Sequence, residues 1–154
     1  LERAVELQPF QEKHYANLAQ AYFLVGTDYF GKGEKDKARG YFQKVVAVRD
    51  MLTEISRNVP PQVPSSQKVN VDYAPFVLVT GQALVILEDW EKADELLKLA
   101  SRDKDNASQA LLWLGILYER KGEAALARQY LEKAWAADPS LKWEYRKVAS
   151  LFEQ

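Results

Sequence analysis

The chain has 154 residues, 47% of them hydrophobic, enough for one domain whose core buries roughly two-thirds of the unfolded chain's surface. Its 21 Lys and Arg balance 22 Asp and Glu with no long run of one sign, which argues against nucleic-acid binding by a basic face. The absence of cysteine removes disulfides, thiolate metal sites and thiol nucleophiles together, and no stretch reaches the roughly 18 apolar residues of a membrane helix.

Leu1 to Pro9 read as the tail of a helix already under way. A first complete helix is expected at about 12 to 31. Its apolar residues satisfy two registers, Tyr15, Leu18, Ala19 and Tyr22, then Tyr22, Val25, Gly26 and Tyr29, before a turn at Gly33. A second helix carries Ala38, Phe42 and Val45 and continues through Val48, Met51, Leu52 and Ile55. Each member of this pair is expected to be two turns, roughly 10 Å, longer than its counterparts downstream. Gly40 inside the second helix costs about 1 kcal/mol relative to alanine, which implies a close contact there.

The segment 58–72 holds three of the six prolines and has no helical period, so it is a loop. Two readings stay open for it. It is either a mobile excursion or an extended segment docked through Val59, Val63, Val69 and Val71. Asp72 is expected to cap the following helix, with Pro75 in its first turn, where a missing N–H does no harm. The next pair carries Val77, Thr80, Gly81 and Leu84, then Ala93, Leu97 and Ala100. A further pair carries Leu111, Leu114, Gly115 and Tyr118, closed by Gly122, then Ala127, Leu131 and Ala134, closed by Asp138-Pro139. Tyr145, Val148, Ala149 and Phe152 begin another.

The last three sets are spaced by 34 residues. Their small residues, Gly81, Gly115 and Ala149, with Ala93 and Ala127 opposite, allow two helix axes to approach closely. Length and pattern resemble the tetratricopeptide repeat (TPR), whose signature W-x2-L-G-x2-Y…A-x3-F…P is filled almost throughout Leu111–Pro139. The resemblance implies an all-α, right-handed superhelix of antiparallel helical hairpins, one of them elongated. Residues 1–9 would end one repeat, 12–73 form the elongated one, 74–107 and 108–141 follow, and 142–154 supply the first helix of a further repeat or a cap. The repeat at 74–107 departs from the pattern at Leu84, at Glu88 in place of the turn glycine and at Asp105 in place of the proline. These changes bear on its turn, not on its helices.

The resemblance also implies a function. First helices of TPR hairpins line a concave groove, which here would present Phe23, Thr27 and Phe30, then Leu78, Gln82 and Val85, then Leu112, Ile116 and Glu119, with Trp143 and Arg146 at the end. This row is largely apolar and suits a hydrophobic peptide or a partner helix. It could equally be inter-repeat core, or be covered by the 58–72 loop. A TPR subgroup grips chaperone carboxylates with Lys, Asn and Arg. At the matching positions stand Ala16, Gln20, Val79, Gln109 and Trp113, so that clamp is absent. The expectation is a non-catalytic scaffold for protein–protein interaction, without cofactor, nucleic acid or membrane insertion of this segment, and able to self-associate through exposed terminal repeats. The alternative is a spacer or assembly region of a larger chain, as in bacterial cell-envelope proteins with TPR arrays.

Chemistry has little to build on. His14 is the only histidine, so a zinc site or a serine triad has no second member, and no serine lies in a strand-turn-helix elbow. Gly31-Lys32-Gly33 lacks the rest of a phosphate loop and sits between helices. The acidic group Glu88, Asp89, Glu91, Asp94 and Glu95 fits the positive end of a helix dipole.

Overall fold

The computed structural model describes residue 2 and residues 12–59, 61–64 and 70–153. Among these residues there are seven helices: α1 (Glu12–Gly31), α2 (Lys35–Arg57), α3 (Ala74–Ile86), α4 (Trp90–Ala100), α5 (Ala107–Arg120), α6 (Ala124–Ala137) and α7 (Leu141–Phe152). The protein is all-α. Helices α1 and α2, α3 and α4, and α5 and α6 pair as hairpins, and α7 packs on α5 and α6. Leu1, Ala4 and Pro9, which carry the closing half-repeat expected at the start, lie outside the described residues. The elongated hairpin is present, its helices having 20 and 23 residues against 11 to 14 in the other two pairs.

Each hairpin is set by one close approach. A methyl group at Gly115 would sit 2.6 Å from Cγ and Cδ2 of Leu131, one at Gly81 2.8 Å from Leu97 Cδ2, and one at Gly26 2.8 Å from Phe42 Cε1. The partner lies sixteen residues downstream in all three cases. Gly26 therefore fixes the register of α1, the second of the two that the sequence allows, and the additional turns of α1 extend from its N-terminal end. Gly40 behaves differently. No atom comes within 4 Å of where its methyl would be, so the close contact expected there is absent and its helix penalty is uncompensated.

The turns repeat as well. Glu34 N–H donates to the Tyr29 carbonyl at 3.0 Å, Asp89 N–H to Leu84 at 3.0 Å and Glu123 N–H to Tyr118 at 2.9 Å. Each bond closes its helix around a residue of positive φ, Gly33 at 79°, Glu88 at 65° and Gly122 at 84°. Glu88 thus keeps the same turn as the glycines, at the steric cost a side chain bears in the left-handed region. Arg120, from the next hairpin, reaches its carboxylate at 3.3 Å.

Asp72 does not cap α3. The residue preceding the helix is Tyr73, with no side-chain cap, and Pro75 lies in the first turn. Asp72 instead pairs with Arg49 of α2 at 3.4 Å, while the Arg49 guanidinium donates to the Val71 carbonyl at 2.6 Å. Val71 packs against the core, and Val59 and Val63 are half-buried. Val69 lies outside the described residues.

These contacts give opposite signs to three substitutions, measured by urea unfolding. Gly40→Ala gains about 1 kcal/mol. Glu88→Gly gains up to about 1 kcal/mol, because the left-handed strain removed outweighs a partly exposed ion pair. Gly115→Ala loses roughly 1–3 kcal/mol through overpacking against Leu131.

Candidate functional site

The first helix of each hairpin and α7 surround a cavity of about 690 Å³. Two positions recur around its wall. Counted back from the small residue of each helix, the sixth supplies Gln20, Pro75, Gln109 and Trp143, and the second supplies Leu24, Val79, Trp113 and Lys147. They stand four residues apart and so share one helical face.

The cavity is closed on one side by contacts between helices distant in sequence. Phe23 of α1 meets Trp113 of α5 edge-on at 6.2 Å between ring centres. Phe30, in the last turn of α1, meets Phe152 of α7 at 5.9 Å, and the Arg120 guanidinium lies 3.9 Å from the centre of the Phe152 ring. Ile86, Leu151 and Phe152 also line this end, whereas Gln20, Asn106, Gln109 and Ser140 line the opposite one. Two large apolar side chains of the lining remain open to solvent, Leu24 at 58% and Trp143 at 68% exposure.

Six residues of the row expected from sequence line the cavity: Phe23, Thr27, Phe30, Leu78, Gln82 and Trp143. The others do not. Val85 and Leu112 are fully buried and Ile116 nearly so, because the helices packed on α3 and α5 cover those faces. Glu119 lies outside the cavity, where its two carboxylate oxygens accept from the Tyr145 hydroxyl at 2.9 and 2.7 Å and tie α7 to α5. Arg146 is exposed and also lies outside the lining. The missed residues include Leu24, Lys147 and Leu151. Gln20, Val79, Gln109 and Trp113, the positions compared with the carboxylate clamp, were the available signal. They mark the row one residue away from the one expected.

Polar groups in the lining are mostly uncharged. Gln109 donates to Glu144 at 2.8 Å, and the Lys147 ammonium lies 5.5 Å from the Trp143 ring. Of the acidic residues before and within α4, Asp94 accepts from the Tyr118 hydroxyl and pairs with Lys98 at 2.9 Å, and Glu88 pairs with Arg120. Among the described residues no group of three His, Cys, Asp or Glu is placed to hold a metal ion, and no helix is long and apolar enough to cross a membrane.

Paired antiparallel helices stacked in register define the chain as a helical-repeat solenoid. Residues 20–48 and 109–140 match the family model of the tetratricopeptide repeat. The two matches begin six residues before Gly26 and Gly115, the register fixed by packing, and the chain is a tetratricopeptide repeat protein. No curated protein matches it. Repeats of this family mediate protein–protein interaction, and the fold is typically a non-catalytic scaffold.

Tyr145 gives the anchoring of α7 a pH signature. Burial, reinforced by the hydrogen bond to Glu119, pushes its hydroxyl up to about 12 from 10.0. Its folded value lies above its unfolded one, so its contribution to stability is complete below pH 10 and is lost as the pH rises towards 12. Thermal melts across that range are expected to show a smaller alkaline decline for Tyr145→Phe than for the wild type.

Proposed function

We propose that this protein is a non-catalytic scaffold that holds a hydrophobic peptide segment of a partner protein in the concave cavity between α1, α3, α5 and α7. The supporting observation is the exposure of Leu24 and Trp143 on a concave wall with Phe23, Phe30, Leu78, Ile86 and Phe152 beside them. Large apolar side chains on the rim of a concave pocket are what a partner's side chains would cover. In this reading the repeats divide the chain at 12–73, 74–107 and 108–141, with α7 as the last wall of the site. The same exposed Trp143 serves self-association of α7 ends at high concentration. A spacer role without ligand draws on a different observation: Phe23, Trp113, Phe30 and Phe152 fill part of the concave face with the chain's own rings.

A displayed random-peptide library tests the proposal. Binders selected on the wild type are expected to be lost with Leu24→Ala and with Trp143→Ala, while both variants keep the wild-type melt, since both side chains are exposed. Leu112→Ala is expected to cost about 2–5 kcal/mol because that side chain is core. Retention of every binder by both rim variants, or no binders to the wild type, would overturn the proposal.

A further inference from the structure

The last helix carries charge where its counterpart carries core. Arg146, Lys147 and Ser150 of α7 stand one repeat beyond Leu112, Trp113 and Ile116 of α5. The α5 residues are at most 3% exposed, whereas the three on α7 are all exposed. A further helix covering α7 as α5 is covered would bury an arginine and a lysine, at a desolvation cost that the apolar counterparts do not carry. The outer edge of α7 is thus built as a surface.

What that surface presents is specific. Lys142, Trp143, Arg146, Lys147 and Ser150 fall within roughly 140° of the helix circumference. Trp143 is 68% exposed, with the Lys147 ammonium 5.5 Å from its ring centre, and Lys142 lies over the Trp135 ring of α6. Lys142, Arg146 and Lys147 form no ion pair among the described residues. The carboxylates nearby are occupied or marginal: Glu144 accepts from Gln109 on the cavity side, Asp138 accepts from Ser140, and Glu153 follows the end of the helix. An edge that only kept the chain soluble would mix both signs and would not display an indole.

The arrangement favours one kind of anionic partner. Carboxylates of a partner protein would meet these cations singly on an exposed convex helix, where each pair contributes little. Five side chains are also far fewer than the roughly 20–30 residues of a stable protein interface. A phospholipid bilayer needs no such register, because it offers headgroups across a plane and each cation contributes separately. An indole, apolar in its body and polar at its N–H, settles at headgroup level.

We propose that the outer edge of α7 rests on an anionic phospholipid surface, with Lys142, Arg146 and Lys147 among the headgroups and the Trp143 ring at their level. The contact is peripheral, since no helix among the described residues is long and apolar enough to cross a membrane. It does not rest on the groove reading. Trp143 and Lys147 also line the cavity, but Lys142 and Arg146 lie outside it.

The probe is a set of vesicles of phosphatidylcholine alone or with an equal part of phosphatidylglycerol, with and without brominated acyl chains. Binding is read by cosedimentation, and the depth of Trp143 by quenching of tryptophan fluorescence. The wild type is expected to bind the anionic vesicles roughly a hundredfold more tightly than the neutral ones, and to lose most of that difference in about 0.5 M salt. Lys142→Gln and Arg146→Gln are each expected to weaken binding about fivefold while keeping the wild-type melt and the library peptides. Brominated chains are expected to quench the wild type and much less the Trp143→Phe variant. Equal binding to both vesicles, binding to neither, full retention by both glutamine variants, or the same quenching without Trp143 would overturn the proposal. Capture of a polyglutamate peptide in place of the vesicles would assign the edge to an acidic protein and overturn it too. The groove reading stands or falls separately, on the library peptides.

Discussion

Each hairpin depends on a bare glycine of the first helix receiving a large side chain of the second. Gly26 faces Phe42, Gly81 faces Leu97 and Gly115 faces Leu131, each at a distance that leaves no room for a methyl group. The contact is short because the axes are close, and Ala38, Ala93 and Ala127 of the second helices are buried. The turn follows from the same spacing: seven residues beyond each glycine stands the residue of positive φ that reverses the chain. Glu88 shows which constraint dominates. It is the wrong residue type for that backbone, yet it adopts the conformation because the packing around Gly81 and Leu97 dictates where the chain must reverse.

Stacking such hairpins brings the first helices together on one face, and curvature then decides what that face can do. Here the curvature is strong enough for α1 to touch α5 through Phe23 and Trp113 and to touch α7 through Phe30 and Phe152. An open channel becomes a pocket closed at one end. Apolar rings collect at that end and carboxamides at the other. The anchoring of α7 completes the enclosure, since Tyr145 on Glu119, Trp135 against Tyr145 and Arg120 over Phe152 fix the last wall from three directions.

The hairpins were legible in the sequence because their determinants are local: a glycine and a large apolar residue sixteen positions apart, and a chain reversal seven residues after the glycine. The groove was legible only in part. Counting along one helix gives a correct stripe, but which residue of the stripe faces the cavity depends on how far each hairpin rotates against the previous one, and that rotation is set by contacts between α1, α5 and α7 that no local pattern encodes. Hence Phe23, Thr27, Leu78 and Gln82 were placed on the lining, whereas the equivalent Leu112 and Ile116 proved to be core. Gly40 failed for the opposite reason. Its expected contact was inferred from cost alone, and a cost can go uncompensated in a helix that has twenty-two other residues to hold it.

The elongated hairpin raises a question of phase. A pair two turns longer than its neighbours, followed by a loop, would throw α3 out of register unless the chain were brought back to the right height. The return is fixed just before α3 begins. Asn70 Oδ1 accepts from Asp72 N–H at 3.0 Å and forms a tight turn, while Arg49 holds the Val71 carbonyl and the Asp72 carboxylate from the side of α2. Arg49 sits on α2 between Val48 and Leu52, in its C-terminal half, so the lengthened helix itself supplies the anchor that restores the phase. The extra turns of α1 extend in the same direction, away from Phe30 and the closed end of the pocket. The insertion therefore adds length at one edge of the solenoid and leaves the packing of Gly81, and with it the position of Gln82, in step with the hairpins on either side.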